Sequence, residues 1–129
     1  MAEDDLLALR QLYEEFANGN FGKGSELFAP DVVFEPSPER SAIHGLESII
    51  AYMRDFLAQW SDYRVEAQEF IEAGDSIVVT ERQYATGEWS AIETVKSFYA
   101  VWTFRDGLVA HVRWDDDRDT ALAAAGLAE

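Results

Sequence analysis

The chain has 129 residues, of which 48% are hydrophobic and 13% aromatic, so we expect one globular domain over residues 1–129. The absence of cysteine excludes thiol catalysis, disulfides, zinc–thiolate sites and iron–sulfur clusters. Ten basic against twenty-five acidic residues give a net charge of −15, which opposes binding to nucleic acid or an anionic membrane. No apolar run approaches the ~20 residues of a membrane span, and the acidic start is unlike a signal peptide, so we expect a cytoplasmic protein.

The first third of the chain predicts two helices and a short strand. Apolar residues recur with helical spacing over residues 6–17, and Gly19 ends that helix because glycine adopts a left-handed backbone without a steric clash. A shorter helix is predicted at about 21–28. Residues 32–34 are typical of a strand, and a loop follows over residues 36–44.

The remainder predicts one long helix, four strands and a short final helix. The long helix follows Gly45, and the four strands are rich in β-branched and aromatic residues. Asp117 is expected to cap the final helix, which runs through Ala125. The strands are predicted at about 63–73, 77–86, 93–105 and 108–114. The apolar stripe of the long helix is Leu46, Ile49, Ile50, Met53, Phe56, Leu57 and Trp60.

This order predicts an α+β fold in which a curved antiparallel sheet wraps around N-terminal helices. Helices concentrated at one end and a strand meander at the other favour helices on one sheet face. Long strands twist and curl, so the sheet and helices together form a cone. A cone that its own side chains do not fill is a pocket.

Five stretches carry a resemblance to a known family: LFAPDVVFEP, HGLESIIAYMRDFLAQW, YRVEAQEFIEAGDSIVV, YAVWTFRDGLVAHV and DRDTALAAAGL. In this order, and over nearly its full length, the chain resembles the SnoaL-like, ketosteroid-isomerase-like branch of the nuclear transport factor 2-like superfamily. The resemblance implies a cystatin-like α+β barrel. It implies less about function, because this superfamily includes steroid isomerases, polyketide cyclases, epoxide hydrolases, dehydratases and proteins that only bind or assemble.

The resemblance implies two candidate catalytic residues, Glu35 and Tyr13. In ketosteroid isomerases an acidic residue before a proline ends the first strand and acts as the base; Glu35 precedes Pro36 here, although the isomerases have two consecutive acids. Desolvation by Phe34 and Trp60 would raise the pKa of Glu35. A tyrosine of the first helix donates a hydrogen bond in those enzymes, and Tyr13 lies one residue from that position. The structural alternatives are an exposed strand-end glutamate and a core tyrosine.

Histidines and late aspartates give further candidates. His44, before the long helix, is either a proton donor at the cone or a helix cap. Strand alternation places His111 on the outer sheet face, as a structural residue or a dimer contact. The position of the catalytic aspartate in related cyclases and epoxide hydrolases falls near Trp114 here. Asp115 is expected to point to the opposite sheet face. This counts against the cyclase or hydrolase chemistry being carried over unchanged. Residues 115–117 favour a solvated turn, and we expect neither metal nor cofactor.

The abundance of large rings predicts a pocket for a small apolar molecule. We expect isomerase or cyclase chemistry without a cofactor, with Glu35 as base and Tyr13 or His44 as donor. The alternative is a non-catalytic ligand-binding or dimerisation module whose cone is filled by its own side chains. The predicted substrate-binding residues are Phe16, Phe34, Tyr52, Phe56, Trp60, Trp102 and Trp114.

Apolar residues on both faces of the third strand of the meander predict a homodimer. Val95, Tyr99 and Val101 alternate there with Phe98, Ala100, Trp102 and Phe104. Only one of these sets can face the helices, so the other leaves apolar area on the outer face. A two-fold dimer through the open sheet faces would bury that area.

Overall fold

The computed structural model describes residues 2–19, 24–36, 41–87 and 93–126. The elements are α1 (Ala2–Ala17), a 3-10 turn (Ser25–Leu27), β1 (Phe28–Glu35), β2 (Ile43–His44), α2 (Leu46–Leu57), β3 (Trp60–Ala73), β4 (Ser76–Gly87), β5 (Glu93–Arg105), β6 (Leu108–Asp115) and α3 (Arg118–Ala124). Within these ranges, six strands form one sheet in the order β2-β1-β6-β5-β4-β3. The strand β1 runs parallel to β6, and the other neighbouring strands are antiparallel.

The predicted α+β fold is confirmed, with a curved and unclosed sheet. Its inner face meets α1 and α2, since α1 contacts β3 and α2 contacts β1. Alternate residues of the strands enter the core there, including Val79 of β4 and Val109 of β6, which are fully buried with Leu9 of α1. None of the helices in the described ranges is long and apolar enough to cross a membrane.

The outer sheet face carries the last helix, α3. Val78 of β4 and Val101 of β5 pack against Ala121 of α3 in a second small core. The predicted cap of this helix is confirmed, because the Asp117 carboxylate accepts a hydrogen bond from the Thr120 amide at 2.9 Å. The protein's own last helix therefore covers part of the apolar outer face.

The long helix ends earlier than its apolar stripe predicts. The helix α2 stops at Leu57, where the amide of Gln59 bonds the carbonyl of Phe56 and tightens the last turn. Trp60 was predicted as a helix residue, and this is wrong, because Trp60 opens β3 and pairs with Gly87. Helical spacing alone cannot show that this residue pairs with β4 instead of extending the helix.

The segment before β1 also differs from its prediction. The helix expected at 21–28 lies partly outside the described residues, and its described end is a 3-10 turn followed by Phe28 in β1. Phe28 is a strand residue because it pairs with Val109 of β6. The short strand β2 was not predicted; Ile43 and His44 pair with the end of β1.

Candidate functional site

A cavity of about 300 Å³ lies between α2 and the inner face of the sheet. Its helical wall follows one face of α2, with Ile49, Met53 and Leu57 at a spacing of four residues. Val65 of β3 and Val112 of β6 are among the aliphatic wall residues of the sheet. The aromatic wall residues are Phe16, Phe28, Phe34, Tyr63, Trp102 and Trp114.

Strand alternation and register explain why the sheet side chains converge on the cavity. Phe34 of β1 lies opposite Val112 of β6, and Val112 lies opposite Trp102 of β5. Residues opposite each other in neighbouring strands point to the same face. Trp114, two residues after Val112, points to that face too and meets Phe34 at a ring-centre distance of 4.9 Å.

One acidic side chain, Glu81 of β4, lies in this mostly apolar wall. It points to the same inner face as Ile77 and Val79, which are core residues four and two positions earlier. Glu81 is only 3% exposed. A carboxyl group so deeply buried needs hydrogen-bond donors, because desolvation of a charge is costly.

Three side chains form a hydrogen-bond network that ends on Glu81. The Tyr13 hydroxyl of α1 donates to Oε2 of Glu81, and Nε2 of Gln83 donates to Oε1 at 3.0 Å. The indole Nε1 of Trp102 in turn donates to the Tyr13 hydroxyl oxygen at 2.8 Å. Tyr13 and Gln83 donate to the carboxyl group directly and Trp102 donates to Tyr13, so Glu81 is the acceptor end of the network.

The surroundings change the acidity of Glu81 and of two tyrosines. Burial raises the pKa of Glu81, while the hydrogen bonds from Tyr13 and Gln83 lower it in part. Burial, and then the charge of Glu81, raise the pKa values of Tyr13 and Tyr63. Tyr63 lines the cavity and lies within electrostatic reach of Glu81. The site therefore presents a carboxyl group that keeps its proton to higher pH than usual, beside neutral phenols.

The structure brings only one of the three predicted catalytic residues to this site. Tyr13 touches Glu81 from behind the wall. Glu35 does not line the cavity, because alternation in β1 turns Phe34 inward and Glu35 outward. On the outer face, Oε2 of Glu35 lies 2.5 Å from Nε2 of His111, which confirms the outer placement of that histidine. His44 is exposed on β2 and does not line the cavity.

The predicted substrate-binding residues divide into a wall set and a supporting set. Four of them, Phe16, Phe34, Trp102 and Trp114, line the cavity. The other three, Tyr52, Phe56 and Trp60, do not line it and pack behind the wall. The Tyr52 ring lies 5.9 Å from that of Phe34, the Phe56 ring 6.2 Å from that of Trp114, and the Trp60 ring 6.1 Å from that of Phe56.

Three polar residues of the cavity wall were missed by the sequence analysis: Glu81, Tyr63 and Arg54. A signal for Glu81 was present, since a carboxyl residue interrupts an inward series of apolar residues at every second position of β4. Arg54 likewise interrupts the apolar face of α2. Both signals became clear only once the inward faces of the strands and the helix were known.

The family follows from a comparison with known domains. Residues 9–112 match the model of the SnoaL-like domain. The chain belongs to this family. The predicted resemblance is thereby confirmed, while no curated protein matches this SnoaL-like chain.

Solved structures share the fold at low sequence identity. An NTF2-like protein of unknown function from Burkholderia pseudomallei K96243 is 24% identical with a TM-score of 0.78, over 93% of this chain and 95% of that one. TerC co-crystallised with polyporic acid is 22% identical with a TM-score of 0.76, over 96% and 97%. A putative SnoaL-like polyketide cyclase from Jannaschia sp. CCS1 is 19% identical with a TM-score of 0.78, over 98% and 94%. At these identities the likeness shows the fold alone.

Proposed function

We propose that this SnoaL-like protein binds a small, mostly apolar molecule in its cavity and moves a proton on it without a cofactor. The observation that supports this proposal is the buried carboxyl group of Glu81 in an otherwise apolar wall. A group of this kind, with its pKa raised by burial, suits general acid–base catalysis. The reaction class is that of an isomerase or a cyclase acting beside a carbonyl group.

In the proposed reaction Glu81, in its ionised form, takes a proton from the carbon next to a ligand carbonyl. The C–H bond breaks, an O–H bond forms on Glu81, and the electron pair moves to the carbonyl oxygen as an enolate. The Tyr63 hydroxyl in the wall donates a hydrogen bond to that oxygen. When the ligand carries a C=C bond next to the reacting carbon, return of the proton from Glu81 to the far end of the conjugated enolate gives an isomer. When the enolate carbon instead attacks a second carbonyl of the ligand, the new C–C bond closes a ring, and the resulting alkoxide takes the proton back from Glu81.

The solved relatives support a small-molecule site in this fold. TerC was crystallised with polyporic acid, and the Jannaschia protein carries the name of a polyketide cyclase. These names describe those proteins. They support the proposal because a protein of this fold was crystallised with an organic molecule.

Proton transfer can be tested by deuterium exchange. Small cyclic ketones and 1,3-diketones are incubated with the protein in deuterium oxide, and exchange at the carbon next to the carbonyl is followed by NMR. We expect exchange with the wild type, a loss of about a hundredfold or more with Glu81→Gln, and no loss with the exposed-site control Glu72→Gln. Loss of exchange with Glu35→Gln, but not with Glu81→Gln, would instead support the base predicted from the sequence.

One observation favours a second function, that of a non-catalytic ligand-binding module. Both carboxyl oxygens of Glu81 already accept hydrogen bonds within the protein, from Tyr13 and Gln83. A carboxyl group held in this way can serve to fix the core around a pocket. Ligand binding by the wild type without deuterium exchange on any ketone tested would favour this module.

A further inference from the structure

We propose that the ligand of the cavity is an organic anion whose acidic group pairs with Arg54 at the mouth while its apolar body lies inside. This inference rests on the proposed function, since it requires that the cavity binds a small molecule. It adds the substrate class: an amphipathic acid of one or two rings, because a cavity of about 300 Å³ is at the small end of ligand sites.

Arg54 is the basic residue of the cavity wall within the described part of the chain. It lies on the same face of α2 as Ile50, Met53 and Leu57, one to four residues away, and lines the cavity with them. Its side chain is exposed, whereas Glu81 is 3% exposed. The guanidinium group therefore marks the open end of the cavity and the carboxyl group marks the inner end.

No carboxylate in the described part of the chain pairs with Arg54. Among the described residues, Arg64, Arg105 and Arg113 each form an ion pair with a carboxylate, but Arg54 forms none. Arg54 is also not among the groups that shift the pKa of Glu81, so it does not serve as the counter-ion of the buried carboxyl. The other described arginines without an ion pair do not line the cavity, so its position in the wall sets Arg54 apart.

An arginine at this place favours an anionic ligand. The guanidinium group is planar and presents paired donors that match the two oxygens of a carboxylate. The net charge of −15 repels anions in general, so a local cation is required to hold one at the mouth. With the acidic group at Arg54, the opposite end of the ligand reaches the Glu81 end of the cavity.

The test compares acids with neutral molecules of nearly the same shape. Three pairs of one-ring and two-ring carboxylic acids and their primary amides, including 2-naphthoic acid and 2-naphthamide, are titrated into the protein by calorimetry at low salt. We expect the wild type to bind the acids about fivefold to tenfold more tightly than the amides. Arg54→Gln should remove this preference and leave the amide affinity within about twofold of the wild type.

Arg82→Gln is the matched control, because Arg82 is an exposed arginine of β4 outside the cavity wall and its loss changes the net charge equally. It should keep the preference for acids. Equal binding of acids and amides by the wild type, or an equal loss in both variants, overturns the role of Arg54 and leaves the binding function intact. If no member of any pair binds, cavity binding itself fails, and the inference fails with it.

Discussion

Glu81 and Glu35 lie on opposite faces of the same sheet and meet different surroundings. Glu81 points inward, is almost fully buried and accepts hydrogen bonds from Tyr13 and Gln83. Glu35 points outward, keeps a third of its side chain exposed and pairs with His111. Burial raises the pKa of Glu81, whereas water screens the outer pair. The face of a strand, more than the residue type, therefore decides which carboxyl group suits proton transfer.

The largest expected difference in stability between the two sheet faces concerns Tyr13. Tyr13→Phe keeps the ring but leaves the Trp102 indole without its acceptor and Glu81 without one donor. Because both groups are buried, we expect a loss of about 1–3 kcal/mol in the free energy of unfolding, measured by urea titration. A change below about 0.5 kcal/mol would mean that this network does not stabilise the inner face.

The pH dependence of stability separates Glu81 from the other carboxyl groups. Its pKa is raised in the folded state, so folding favours the protonated form. Its stabilising contribution is complete below the unfolded pKa of about 4.3 and is lost as the pH rises through the folded pKa, by about 1.4 kcal/mol per pKa unit of difference. Glu81→Gln should remove this decline in urea titrations made at increasing pH above about 4. Parallel curves for the variant and wild type would contradict the raised pKa.

The outer pair should matter least for stability. Glu35→Gln removes the charge that faces His111, but both side chains are about one-third exposed. We expect the free energy of unfolding to change by less than about 1 kcal/mol at pH 7. A loss of unfolding free energy as large as that of Tyr13→Phe would show that the contacts on the two faces stabilise the fold equally, which the burial does not predict.

Local patterns predicted most elements, whereas the site depended on pairing between distant segments. The capping by Asp117 and the strand β5 over residues 93–105 follow from nearby residues, and both predictions are confirmed. The sheet face to which Glu35 points does not follow from nearby residues. It is set by the parallel pairing of β1 with β6 and by the irregular register before Val33. The partnership of Tyr13 with Glu81 joins residues 68 positions apart. Such a contact has no signature within either segment.

The homodimer through the outer face remains a prediction, with the smallest expected effect. The helix α3 already covers Val78 and Val101, so the uncovered apolar area includes Val95, which is 52% exposed near the start of β5. The acidic group nearest to it along the chain, Glu93, is partly neutralised by its ion pair with Arg64. This arrangement lowers the repulsion that a net charge of −15 imposes on association.

Light scattering after gel filtration tests this dimer at micromolar concentration and moderate salt. We expect a mass near twice the 14.5 kDa of the chain, and a shift toward the monomer mass for Val95→Asp, because the new charge would be buried against the partner. Leu7→Asp, an equally exposed apolar position on α1, is the matched control and should keep the dimer mass. A wild type that elutes at 14.5 kDa would leave the outer face as the solvent-facing side of a monomer, with α3 as its only cover within the described residues.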